Sequence, residues 1–222
     1  MISDSTLLRQ GGCTLLIVLL FWIGSIGTTA FAEEPAAATA PQAAAEEAVE
    51  ELPPDPITDA KPLSPQPAAA DMEPGLTVTY FFKKFYTLSE VAEAEDGEPG
   101  EPLATLDHLT EDGIVLGTDQ RIMVGALIGG LMHFPETGTY TLRVNSNDGI
   151  SVMIGGELVW IDPDVHYHRS SPPLEFVVSE AGWYEFAVDY FQKKGGSALQ
   201  LFWTPPGGSE SIVPAEAFAH LK

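Results

Sequence analysis

From Gly75 to Lys222 the chain alternates apolar and polar residues and is punctuated by glycine turns. A period of two belongs to a strand with one buried face, whereas a helix needs 3.6. Residues Thr139 to Asn145 put Tyr140, Leu142 and Val144 on one face, with Thr141, Arg143 and Asn145 on the other. Asn147-Asp148-Gly149 then makes a tight turn into a strand over Ile150–Ile154, and Gly155-Gly156 turns the chain into Glu157–Ile161. Alternation returns over Trp183–Phe191, with Tyr184, Phe186, Val188 and Tyr190 inward, and Lys193-Lys194-Gly195-Gly196 leads into Ala198–Trp203. Leu76–Phe82, Arg121–Ile128 and Leu174–Val178 read as further strands, and the only helical signal is a short turn near Ala215–Leu221. Roughly ten strands with turns at short intervals predict an all-β fold, an antiparallel β-sandwich or barrel, over residues 75–222.

The first 74 residues are of a different kind. Gln10 to Ala32 holds no charged side chain, Arg9 precedes it, and Ala30-Phe31-Ala32 ends it. A charged start, an apolar run and an A-x-A site predict a signal peptide over 1–32. The rival is an uncleaved signal anchor, the one case in which a membrane enters as partner. The single cysteine, Cys13, precedes the apolar run. A disulfide framework within one chain and a Cys-based zinc site are therefore excluded. Residues 33–74 carry nine of the 18 prolines and ten acids against one base, Lys61. With almost nothing larger than alanine to bury, this Pro/Ala/Glu-rich stretch is predicted to be a disordered acidic linker. The whole chain sets 10 Lys+Arg against 32 Asp+Glu, formally −22. That charge repels a polyanion and argues against nucleic acid as a partner.

Within the strand-rich part a longer pattern emerges: Val124-Gly125-Ala126, Gly138-Thr139-Tyr140-Thr141-Leu142, Ser146-Asn147-Asp148-Gly149, Ile154-Gly155-Gly156, Ala181-Gly182-Trp183-Tyr184, Asp189-Tyr190-Phe191, then Ala198 to Trp203. In this order and spacing the string resembles the protective-antigen (PA-fourteen) domain family, over essentially all of Gly75–Leu221. The resemblance implies a sandwich that binds carbohydrate or acts as a spacer. In the calcium-dependent adhesin branch two adjacent aspartates hold Ca²⁺, which in turn binds sugar hydroxyls. Asn147-Asp148 occupies that turn, so Asp148 is kept while Asn147 supplies a neutral oxygen, and the later loop ligand falls near Gln192, another neutral donor.

Each candidate site has a plain structural reading beside it. Asn-Asp-Gly is a good hairpin turn without any ligand, although hard oxygen donors there suit Ca²⁺. In Asp162-Pro163-Asp164-Val165-His166-Tyr167-His168, an extended backbone would point Asp162, Asp164, His166 and His168 to one side. An H-x-H pair on a strand suits a transition metal, whereas Pro163 favours a polar loop. Trp160, Tyr167 and His168 offer ring faces and edges for a sugar to pack on. The acidic run Glu90–Glu101 reads as a solvated insertion. No G-x-S-x-G, Walker loop, H-E-x-x-H or dinucleotide fingerprint is present. Glu185 and Asp189 lie about 13 Å apart on one strand face, too far for a glycosidase pair on their own.

The expectation is therefore a secreted or periplasmic, non-catalytic carbohydrate-binding module, with Ca²⁺ as a weak cofactor and a glycan or cell-envelope polysaccharide as partner. Its ligand residues would be Asn147, Asp148, Trp160, His166, His168 and Gln192, and its metal ligands Asp148, Asn147 and Asp162. The alternative is a structural domain of the envelope that contacts another envelope protein and has no ligand of its own.

Overall fold

The structure is a computed structural model that describes residues 54–222. The predicted signal peptide and the first part of the predicted linker, residues 33–53, lie outside the described residues. In chain order the strands are β1 (Met72–Pro74), β2 (Thr77–Phe81), β3 (Glu98–Pro99), β4 (Asp107–Thr110), β5 (Val124–Phe134), β6 (Gly138–Asn147) and β7 (Ile150–Ile154). There follow β8 (Glu157–Asp162), β9 (Arg169–Ser170), β10 (Leu174–Val178), β11 (Gly182–Gln192), β12 (Ser197–Thr204), β13 (Ser211–Ile212) and β14 (Phe218–Leu221). One sheet runs β1-β14-β5-β11-β7-β8, with β2 attached at β5 and β3 paired to β2. The other runs β10-β6-β12-β13, with β4 added to β12 and β9 to β6. The strand pairs are antiparallel, so the predicted antiparallel sandwich is the observed architecture.

Alternation places the core as the sequence reads. Tyr184, Phe186, Val188 and Tyr190 of β11, and Tyr140, Leu142 and Val144 of β6, are all buried. At the centre the Phe134 ring meets Tyr140 at 4.9 Å, Phe176 at 5.1 Å and Tyr184 at 5.2 Å, with Trp203 at 6.3 Å. Two sheets thus close on one aromatic cluster. Trp203 belongs to this core. Trp183 is only half-buried and packs on His133 at 4.8 Å, not in the core.

Three expectations need correction. Residues 54–74, read as part of a mobile linker, lie along the sandwich instead. Ile57 bridges Phe176, Lys61 N donates to Gly155 O at 2.9 Å, Leu63 N donates to Trp183 O at 2.8 Å, and β1 pairs with β14. Backbone hydrogen bonding holds this strap, which a scarcity of large side chains does not forbid. Gly155 is part of the reason, since at φ +60 a Cβ there would lie 2.8 Å from both Lys61 N and Lys61 O. The acidic run does keep its carboxylates exposed, but it carries regular structure: it overlaps a one-turn helix, α1 (Leu88–Ala92), and contains β3. Leu88 and Val91 of α1 join Phe81, Phe85 and Phe191 in a second, smaller core. At the C-terminus the helical turn covers only Ala215–Ala217, and β14 follows it.

Candidate functional site

The site is built on the turn between β6 and β7. Asn147 ends β6, the Asn147–Asp148 peptide is cis, and Gly149 leads into β7. A Cβ at Gly149 would run into the Phe191 ring, so the turn can lie this close to β11 only with glycine there. Asp148 N donates to Phe191 O at 3.2 Å, and Phe191 N donates to Gly149 O at 3.0 Å.

The buried Asp148 carboxylate ties three loops together. Its Oδ1 accepts from His166 N at 3.1 Å and its Oδ2 from Lys193 N at 2.7 Å. The 147–149 turn, the 163–168 segment and the 193–196 turn therefore meet at one end of the sandwich. Burial pushes the Asp148 carboxyl above its ordinary range, and the two N–H donors oppose that push.

Two amide oxygens at this end have no partner. Asn147 Oδ1 and Gln192 Oε1 are both buried and unbonded. The Asn147 backbone O accepts from Tyr190 Oη at 2.6 Å, and Gln192 Nε2 lies 3.3 Å from both Gly195 O and Gly196 O. Buried polar oxygens normally have partners, so an unpaired pair beside a buried carboxylate marks a place where something else can bind.

Asp162 stands differently. It is buried and gripped by Arg169, whose Nε and Nη2 donate at 2.7 and 2.6 Å. His166 Nε2 lies 3.2 Å from Asp162 Oδ2 without hydrogen-bond alignment, and His166 Nδ1 lies 2.8 Å from Tyr167 O. Asp148 and Asp162 are thus linked through His166 and not face to face. The extended H-x-H arrangement is not formed, because β8 ends at Asp162 and residues 163–168 leave the strand. The His166 side chain is buried, whereas His168 is exposed. Among the described residues no three His, Cys, Asp or Glu side chains converge as metal ligands. Trp160 is half-buried and packs against the main core.

Two cavities open on this end. One of 390 Å³ is lined by Leu109, Thr110, Asn147, Tyr167, His168 and Ser197, among others. The second, of 210 Å³, lies between Asn147, Asp148, Val165, His166, Tyr167 and Lys194. Asn147 and Tyr167 belong to both, and Tyr167 is 93% exposed.

Sequence reading missed three contributors here: Tyr190, whose hydroxyl holds the Asn147 carbonyl, Arg169, which neutralises Asp162, and the Lys193 amide. Only the first left a signal, since a tyrosine at an inward strand position implies a partner for its hydroxyl.

No curated protein sequence matches the chain. Solved structures do resemble it. The PA14 domain of the antifreeze protein MpAFP is 17% identical over 69% of this chain and 93% of that domain, with a TM-score of 0.57. A PA14 sugar-binding domain from an RTX adhesin is 17% identical over 66% of this chain and 98% of its own, TM-score 0.52. The epithelial adhesin 9 A domain of Candida glabrata, in complex with Galβ1-4GlcNAc, is 11% identical over 75% and 96%, TM-score 0.55. At these identities the likeness is one of fold. The PA14 domain family pattern itself matches residues 72–217, and the chain belongs to the PA14 domain family.

Proposed function

We propose that this protein is an exported, non-catalytic carbohydrate-binding module whose saccharide sits on the Asn147–Asp148 turn against Tyr167. The observation that carries this reading is the unpaired, buried amide oxygen of Asn147, a residue that lines both cavities together with the almost fully exposed Tyr167. A sugar supplies hydroxyl donors for such an oxygen and a C–H face for the ring. The PA14 sugar-binding and galactoside-bound neighbours support the same reading. Export rests on the uncharged Gln10–Ala32 run and the A-x-A site.

The donor set fits Ca²⁺ in a reduced form. Asp148, Asn147 Oδ1 and Gln192 Oε1 are hard oxygens, two of them without partners. Asp162 is committed to Arg169 and is left out of the set. When bound, the ion would supply coordination sites for sugar hydroxyls. With one anionic ligand its affinity belongs with the extracellular modules, about 10⁻⁴–10⁻³ M.

A glycan array probed with and without Ca²⁺, followed by calorimetric titration, tests the reading. Asn147→Asp should tighten Ca²⁺, while Tyr167→Ala should weaken saccharide binding with an unchanged melting temperature. An array with no bound saccharide in either buffer would leave the envelope-spacer reading in front.

A further inference from the structure

The chain is formally −22, with only 10 Lys+Arg in total. Each arginine among the described residues is spent on a carboxylate: Arg121 on Asp112, Arg143 on Glu210 and Arg169 on Asp162. Lys84, Lys193 and Lys194 form no such pair, and the fold gathers them beside the site.

The gathering is centred on Tyr86, whose ring is 49% exposed. Lys84 Nζ stands 4.6 Å from the Tyr86 ring centroid, and Lys193 Nζ stands 4.5 Å from it. Two ammonium groups held on one ring repel each other and stay there only where attraction to the ring and outside counter-charge offset the repulsion. The Tyr86 hydroxyl feels them: a hydrogen bond from Lys84, and the charge of both lysines, lower its pKa. Two carboxylates face the group: Glu90, which accepts from Tyr86 N at 2.7 Å, and the buried Asp148, which feels the charge of Lys193. Lys83 stands apart, in a cavity it shares with Glu95, Asp96 and Glu98.

The patch adjoins the candidate site through the 193–194 turn. Lys193 N is bonded to Asp148 Oδ2, and the next residue, Lys194, lines the smaller cavity with Asn147 and Asp148. One lysine of the turn thus reaches Tyr86 while its neighbour reaches the cavity. A nucleic acid or another extended polyanion would meet the acidic remainder of the chain, so the counter-charge that fits is small and local.

We propose that Lys84, Lys193 and Lys194, with the Tyr86 ring, form an anion subsite, and that the saccharide bound by this module is acidic, carrying a carboxylate or a sulfate ester. The proposal rests on the carbohydrate reading above. It adds a charged contact that favours the acidic sugar over its neutral counterpart.

The test uses matched saccharides on one core: lactose, 3′-sulfolactose and 3′-sialyllactose, within an array that holds other neutral cores with their sulfated and carboxylated forms. Exposed ion pairs contribute up to about fivefold each, so an acidic member should bind roughly five- to twentyfold more tightly than its neutral parent at low salt. A sulfate-only or a carboxylate-only preference identifies which group is recognised. The double variant Lys84→Gln/Lys193→Gln, which leaves only Lys194, should lose most of the preference while keeping neutral binding, and Lys84→Arg/Lys193→Arg should retain it. Neutral and acidic members bound alike, or a preference undiminished in the double Gln variant, would overturn the subsite and leave the carbohydrate reading intact. No saccharide bound at all would overturn both.

Discussion

Tyr190 is where core and site share one residue. Its ring is buried between the sheets, and its hydroxyl is the donor to Asn147 O. Tyr190→Phe keeps the ring and strands a buried carbonyl, which should cost about 1–3 kcal/mol of stability. Unlike Tyr167→Ala, it should lower the melting temperature as well as weaken saccharide binding, because the turn that carries Asn147 is freed. Denaturant unfolding beside glycan titration reads both, and a variant as stable as the parent would show that this hydroxyl holds nothing. A second residue on the same strand reports burial alone. Asp189 has its pKa raised by burial, with no partner to oppose it. A raised carboxyl contributes stability that is full below its unfolded pKa and is lost as pH rises through the folded one. Asp189→Asn should therefore raise the melting temperature at pH 7, and the gain should shrink to nothing as the pH falls below the ordinary aspartate range. A gain that is flat with pH would mean that packing, not ionisation, is responsible. Residue identities at the site were legible in part. Asn147, Asp148 and Gln192 lie at strand ends, which alternation locates. The orientation of Trp160 was not legible, because the β7–β8 register shifts between Val152 and Met153. With that irregularity Val159 and Asp162 are both buried while Leu158 and Ile161 face solvent, a pattern no period of two describes.

Among the elements, long two-faced strands were the most legible. Leu174–Val178 coincides with β10, and Trp183–Phe191 lies within β11, because one buried face imposes the period. Shorter pieces were not. β4 and β14 are four residues each and are defined by the partner they pair with, not by their own pattern. The strap shows the same effect more strongly. Composition argues for disorder over residues 54–74, yet Ala60 is buried and the backbone bonds to β10, β11 and the 155–156 turn. A chain shortened to begin at Gly75 loses these bonds along with β1, and should melt about 5–10 °C below one beginning at Glu33. Equal melting temperatures by scanning calorimetry would mean that the strap lies on the sandwich without stabilising it.

On the scale of the whole molecule, charge acts against itself. With 32 acidic residues and 10 basic ones, folding brings like charges together. Buried pairs are screened little by salt, and the Asp162–Arg169 pair, with its carboxylate buried, is the main local attraction near the site. Raising NaCl shortens the Debye length from about 30 Å at 0.01 M to about 8 Å at 0.15 M, so it should weaken the long-range repulsion more than that pair. Stability should therefore rise with salt over this range. Binding of an acidic saccharide at Lys84, Lys193 and Lys194 should move the other way, because its attraction is between exposed charges. Two titrations on one sample, melting temperature and affinity for the sulfated or sialylated member against NaCl, should slope in opposite directions. A melting temperature that falls with added NaCl would show that local ion pairs, and not the net acidity of the chain, dominate the electrostatics of the folded state.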